Sequence, residues 1–152
     1  MNEDEILDKY GLRPTGRRLD EIRSLLKQLT SLGPDADTLA MKLYCVQLFN
    51  GGSVFDVLLI WRAKESSWDA HCSVDVQLLC GAGLEATKAY LADRSASDAR
   101  EALGYLAGCE SSGDFDGFSV ASQSAWYDRY YNSGAGQPQR MTAKCLRCRW
   151  PR

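Results

Sequence analysis

The stretch AHCSVDVQLLC, residues 70–80, decides the fold class of this chain. Its apolar and polar residues alternate with a period of two, as they do in a strand that is half buried in a sheet. The same residues also suit a helix, with Ser67 as N-cap, Asp69 in the first turn and Gly81 as the stop. We favour the helix because the segments on both sides have helical periodicity. If residues 70–80 were a strand, they would pair with residues 54–62 as a hairpin.

The flanking segments repeat apolar residues every three or four positions, which is typical of helices. Residues 17–32 do so until Gly33 and Pro34 end the pattern. The next helix is capped by Asp35 or Asp37, runs to about residue 49, and is apolar on nearly every side, which predicts a central, buried position. Further helices are predicted over residues 2–10, 54–64, 84–93, 97–110 and 119–131, with Ser53 as the cap of the second and Ser97 as the cap of the fourth. The sequence therefore predicts an all-α protein, either an irregular multi-helix bundle or a short stack of helical hairpins.

Composition and charge limit the domain organisation and the possible partners. A chain of 152 residues with 45% hydrophobic and 25% charged residues is ordinary for a globular protein. We expect one helical domain over residues 1–134 and a basic, loosely ordered tail over residues 135–152. The net charge of −2 argues against a nucleic-acid binder. The tail keeps the alternative of an electrostatic arm for RNA or an acidic partner open, because its cations are Arg140, Lys144, Arg147, Arg149 and Arg152.

The cysteines and the start of the chain indicate a reducing compartment. Residues 1–9 are acidic and lack the apolar core of a secretory signal, and the longest apolar run, at residues 57–61, is too short to span a bilayer. We therefore expect a cytoplasmic protein that has no membrane partner. Four cysteines have apolar neighbours and are predicted to be reduced and buried, namely Cys45, Cys72, Cys80 and Cys109.

The other two cysteines, Cys145 and Cys148, form a C-x-x-C motif within the basic tail. A zinc site would need two further ligands, and the chain has a single histidine, His71. A redox motif would normally follow a strand and open a helix. We therefore expect two tail thiols, with no bound metal and no cofactor.

The segment WRAKESSWD, residues 61–69, is the strongest candidate for a functional surface. It combines two tryptophans with cations and acids beside a loop between two predicted helices, and tryptophan and arginine are enriched at binding hot spots. A purely structural interpretation places Trp61 in the core and the charges on the surface. As a binding surface for another protein, the candidate residues are Trp61, Arg62, Lys64, Glu65, Trp68, Asp69, His71, Asp75 and Glu85.

An enzyme is the main alternative, and it would be centred on His71, Asp75 and Arg62. On a helix His71 and Asp75 lie one turn apart, so the carboxylate could hydrogen-bond to the imidazole and raise its pKa. This hypothesis requires one concave pocket that holds all three side chains. Because no complete ligand set or catalytic triad accompanies them, we expect a binding protein rather than an enzyme.

The run LLIWRAKESSWDAHCSVDVQLLCGAGLEATKAYL resembles small bacterial proteins that are encoded near polymorphic toxins and are regarded as immunity proteins. The resemblance covers about residues 55–110 and carries over no catalytic residue. It implies a helical, cytoplasmic protein that neutralises a cognate toxin by covering it.

Overall fold

The computed structural model describes residues 1–133, and within that range it contains eight α-helices, three 3-10 helices and no β-strand. The α-helices are α1 (Glu3–Tyr10), α2 (Arg17–Ser31), α3 (Thr38–Gly51), α4 (Val57–Lys64), α5 (Trp68–Ser73), α6 (Leu84–Ala92), α7 (Ser97–Ser111) and α8 (Val120–Asn132). The 3-10 helices are η1 (Gly33–Asp35), η2 (Val54–Asp56) and η3 (Val76–Cys80). The prediction of an all-α bundle is confirmed, and residues 54–62 and 70–80 form no hairpin.

The predicted basic tail lies outside the described residues, and so do Cys145 and Cys148. The division of the chain at residue 134 therefore stays a prediction. Among the described residues, no helix is both long enough and apolar enough to cross a bilayer.

Helix α3 is the centre of the bundle, as its apolar sequence predicts. Residues 40–49 are all buried, and α1, α2, α5, α8 and η3 pack around them. Of the two possible caps, Asp37 is the one used, because its carboxylate accepts hydrogen bonds from the backbone N–H groups of Leu39 and Ala40. Gly52 ends the helix in the left-handed conformation, with φ of +73°.

Other predicted helix starts are also decided by side-chain caps. Ser53 caps η2, which leads directly into α4, and Ser67 caps α5 by accepting from the backbone N–H of Ala70 at 3.0 Å. The prediction that Ser97 caps α7 is wrong. Ser97 is the first helical residue, and Ala96 precedes it in an extended conformation that offers no side-chain cap.

Residues 70–80 are helical, but they do not form the single continuous helix that we predicted. Helix α5 ends at Ser73, the backbone is extended at Val74 and Asp75, and η3 begins at Val76. His71 and Asp75 therefore do not lie one turn apart on a common helix. The break sends their side chains to different parts of the molecule.

The ammonium group of Lys64 accounts for this break. Lys64 is 1% exposed, and its Nζ donates to the backbone carbonyls of His71 at 2.5 Å and Val74 at 2.6 Å. In a continuous helix these carbonyls would accept from the N–H groups four residues later. Lys64 takes that place, and the backbone N–H of Leu78 bonds instead to the carbonyl of Asp75, at 3.0 Å.

Glycine is needed at position 81, where η3 ends, because there is no space for a side chain, and not because of its backbone conformation. Its φ of −61° suits any residue. A Cβ at this position would lie 2.6 Å from the backbone oxygen of Phe49, which is closer than real contacts allow. The absence of a side chain therefore lets η3 end directly against the last turn of α3.

Lys64→Met tests the role of the buried ammonium. The substitution leaves two interior carbonyls without a donor, so we expect the free energy of unfolding to fall by about 2 kcal/mol or more. Urea denaturation followed by circular dichroism measures this change. Lys27→Met on the exposed side of α2 is the matched control and should change the midpoint little. Equal midpoints for the two variants would contradict the proposed cause of the break.

Candidate functional site

The His71 cluster consists of His71, Glu65, Tyr105, Trp68 and Lys64, at the junction of α4 and α5. The imidazole is fully buried, and its Nδ1 lies 2.7 Å from Oε1 of Glu65. Its Nε2 lies 3.4 Å from the Tyr105 hydroxyl. The Lys64 ammonium lies 5.6 Å from the centre of the Tyr105 ring, within the range of a cation–π interaction. Both ring nitrogens of the histidine therefore face protein groups.

The turn between α4 and α5 brings the members of this cluster together. Glu65 is the C-cap residue of α4, and Ser67 is the N-cap of α5, so one residue separates the two caps. This short connection folds α5 back beside α4 and places Glu65 against His71. Tyr105 approaches from α7, which packs on α4.

Trp68 is the part of the cluster that reaches the surface. It is the first residue of α5, is 51% exposed, and lies nearly parallel to the His71 ring with centroids 6.1 Å apart and 16° between the planes. Asp69 follows it and is also exposed. The indole of Trp68 is therefore half exposed to solvent and rests against buried, hydrogen-bonded side chains of the His71 cluster.

The Lys42 cluster is a second polar group, on the other side of the break in residues 70–80. Asp75 accepts a hydrogen bond from the Tyr127 hydroxyl at 2.5 Å and lies 3.3 Å from Nζ of Lys42. The Lys42 ammonium also lies 5.3 to 5.9 Å from the ring centres of Trp126, Tyr127 and Tyr130 on α8. Burial, followed by the charge of Asp75, raises the pKa of the Tyr127 hydroxyl well above its usual range. The cluster joins α8 to α3.

Sequence analysis did not identify Lys42 as part of a site. The available signal was its position as the only charged residue between Thr38 and Gly51, within a helix predicted to be buried on nearly all sides. A charge at such a position requires an interior partner. The sequence could not indicate which acid would supply it.

The structure places three of the predicted contact residues in the interior, which corrects their assignment to an exposed surface. Trp61 is 3% exposed and packs on Tyr105 with ring centroids 5.4 Å apart. Lys64 and His71 are buried as described above. The structural interpretation of Trp61 is therefore the correct one, whereas Lys64 is not a surface charge.

Other predicted contact residues point to different parts of the surface. Arg62 is exposed, and its Nε and Nη2 donate to Oδ2 of Asp98 on α7, at 2.9 and 2.6 Å. Glu85 lies on α6, its side chain is 83% exposed, and it pairs with Lys88 at 3.1 Å. Successive positions on a helix differ by about 100°, so Trp61 and Arg62 cannot share one face of α4. The predicted surface reduces to Trp68 and Asp69, with Glu65 partly accessible beside them.

The three residues of the enzyme hypothesis are engaged with different partners. His71 contacts Glu65 and Tyr105, Asp75 contacts Lys42 and Tyr127, and Arg62 binds Asp98. For residues 1–133, no group of three or more His, Cys, Asp and Glu side chains is arranged to hold a metal ion. The predicted burial of the cysteines holds for Cys45, Cys80 and Cys109, but Cys72 is partly exposed. Burial raises the pKa of the Cys80 thiol to about 12.

The chain was compared with protein-family models, curated proteins and solved structures, and no match was found.

Asp75→Ala tests whether the Lys42 cluster stabilises the fold. Removing the carboxylate takes away an anion that faces the buried Lys42 ammonium, so we expect unfolding to become easier by about 3–5 kcal/mol. Combining it with Lys42→Met should recover a large part of the loss, because the buried ammonium that the carboxylate stabilised is then gone. Both values come from urea denaturation.

Asp98→Ala is the matched control, since it breaks a more exposed ion pair with Arg62 and should cost no more than about 1 kcal/mol. If Asp75→Ala cost as little as Asp98→Ala, the Lys42 cluster would have no special part in stability.

Proposed function

We propose that this chain is a protein-binding protein whose contact surface is centred on Trp68. The observation that supports this proposal is the placement of a 51% exposed tryptophan on a buried, hydrogen-bonded histidine. Tryptophan is among the residues most enriched at binding hot spots. Removing the exposed part of a large aromatic side chain from water is favourable, which makes such a side chain suited to contact with a partner.

The packing of Trp68 on the His71 cluster favours binding, because it limits the motion of the indole that a partner would otherwise have to restrict. The indole stacks on His71, and Glu65 and Tyr105 contact the two nitrogens of that imidazole. A side chain whose position is already restricted loses less conformational entropy on association than a freely rotating one. The exposed Asp69 next to it adds a charge that can orient the partner.

We further propose that binding acts by occlusion and that the partner is a toxin neutralised in the cytoplasm. The resemblance of residues 55–110 to bacterial immunity proteins supports this part of the proposal. Occlusion requires a complementary surface and no reactive group. The engagement of His71, Asp75 and Arg62 with separate partners agrees with that requirement.

Trp68→Ala tests the proposed contact surface. The product of the gene next to the one that encodes this chain is the first partner to test, by isothermal titration calorimetry. We expect the substitution to weaken binding by about 30-fold or more, which is the loss typical of a hot-spot tryptophan.

Phe55→Ala is the matched control, because Phe55 is 74% exposed and lies on η2 rather than α5. It should leave the affinity within about twofold of the original value. Circular dichroism verifies that both variants are folded. Absence of binding by the original chain, or equal losses in the two variants, would refute the Trp68 surface.

A further inference from the structure

Three exposed apolar side chains lie at η1, α3 and α5. Five large hydrophobic residues of the described chain are exposed, and three of them, Leu32, Leu39 and Trp68, are 51% or 52% exposed. Leu32 precedes η1, Leu39 lies in the first turn of α3, and Trp68 begins α5. The other two are Met1 and Phe55.

These three positions belong to elements that pack against one another. Both η1 and α3 contact α5. At the junction with η1, a Cβ on Gly33 would lie 3.8 Å from the backbone oxygen of Ser66, two residues before Trp68. The three apolar side chains therefore belong to a region where η1, α3 and α5 meet.

The segments that carry these apolar side chains also carry exposed acids and contain no lysine or arginine. Asp35, Asp37 and Asp69 are all exposed. No lysine or arginine occurs in residues 28–41 or in residues 65–87. We call the surface formed by Leu32, Asp35, Asp37, Leu39, Trp68 and Asp69 the acidic–apolar face.

The basic side chains nearest to this face in sequence do not neutralise it at the surface. Lys42 and Lys64 follow and precede the two cation-free segments, and each is 1% exposed. Glu3 lies close enough to sense the negative charge, because its pKa is raised by burial and then by Asp37 and Asp4, despite the opposing effect of Lys42. Glu3 and Asp37 therefore lie close enough for their carboxylates to repel each other.

We infer that the acidic–apolar face binds a cationic, arginine-bearing surface of a partner protein. This inference rests on the proposed protein-binding function and specifies the chemistry of the partner. Arginine fits because a guanidinium can stack on the exposed indole of Trp68 while its N–H groups reach a neighbouring carboxylate such as Asp69. Lysine would supply the charge but not the planar stacking. The apolar stems of the arginines would cover Leu32 and Leu39.

The test uses the full chain and a fluorescently labelled nona-arginine peptide, with binding followed by fluorescence anisotropy. We expect saturable binding that weakens about fivefold or more between about 50 and about 200 mM NaCl, because the attraction is electrostatic. Nona-lysine should bind more weakly than nona-arginine. No binding of nona-arginine at about 100 µM would overturn the inference.

Two paired substitutions separate this face from general charge attraction. Asp35→Asn with Asp69→Asn should weaken nona-arginine binding by about fivefold or more, and Trp68→Ala should do the same. Asp93→Asn with Glu101→Gln removes the same charge from exposed positions at the end of α6 and on α7, and should change the affinity by less than about twofold. Equal losses in the two double variants would overturn the inference in favour of diffuse attraction.

The chain's own basic segment is the competing occupant, and Arg147→Gln with Arg149→Gln tests it. If this variant binds nona-arginine more tightly than the original chain, the segment occupies the face and the inference of a separate cationic partner fails. Unchanged affinity supports a separate partner.

The test with the neighbouring gene product keeps the inference and the proposed function distinguishable. If binding of that product requires Trp68 but is unaffected by Asp35→Asn with Asp69→Asn, protein binding stands and the cationic partner does not. If nona-arginine binds as expected while that product does not bind, the charge preference stands and the proposed partner fails.

Discussion

The ammonium of Lys64 is the group on which the rest of this structure depends. It is buried at the end of α4 and bonds to two backbone carbonyls that a continuous helix over residues 70–80 would have used itself. A buried ammonium without acceptors would be very costly, whereas carbonyls at the end of a short helix need donors. The ammonium therefore supplies the donors that the carbonyls need, and the carbonyls supply its acceptors. As a consequence, α5 ends at Ser73 and the 3-10 helix η3 begins at Val76.

The break separates two polar residues that the sequence places four positions apart. His71 stays on α5, where it contacts Glu65 and supports Trp68. Asp75 turns towards α3 and α8, where it meets Lys42 and the Tyr127 hydroxyl. One cluster therefore holds a surface tryptophan in place, and the other fixes α8 on the central helix. A continuous helix would have put both side chains on a single face.

The burial of Lys42 and Lys64 also affects which charges the segments near Trp68 expose. The ammonium groups of Lys42 and Lys64 are buried and bind acceptors in the interior. These two cations, which flank the region in sequence, therefore add little positive charge to its surface. Exposed acids and exposed apolar side chains both occur at η1, α3 and α5, and α5 contacts the other two elements. The two lysines that flank these segments in sequence thus serve the interior of the protein and not its surface.

The sequence by itself determined the eight helical segments, the burial of α3 and the caps at Ser53 and Ser67, because these follow from local periodicity and backbone hydrogen bonding. Only the tertiary structure decided that Trp61, Lys64 and His71 are interior, that Lys42 pairs with Asp75, and that residues 70–80 break in the middle. Hydrophobic periodicity alone assigns every lysine to the polar, exposed face of a helix. Whether a lysine can be buried depends on acceptors that other segments bring to it, and those positions exist only once the helices have packed.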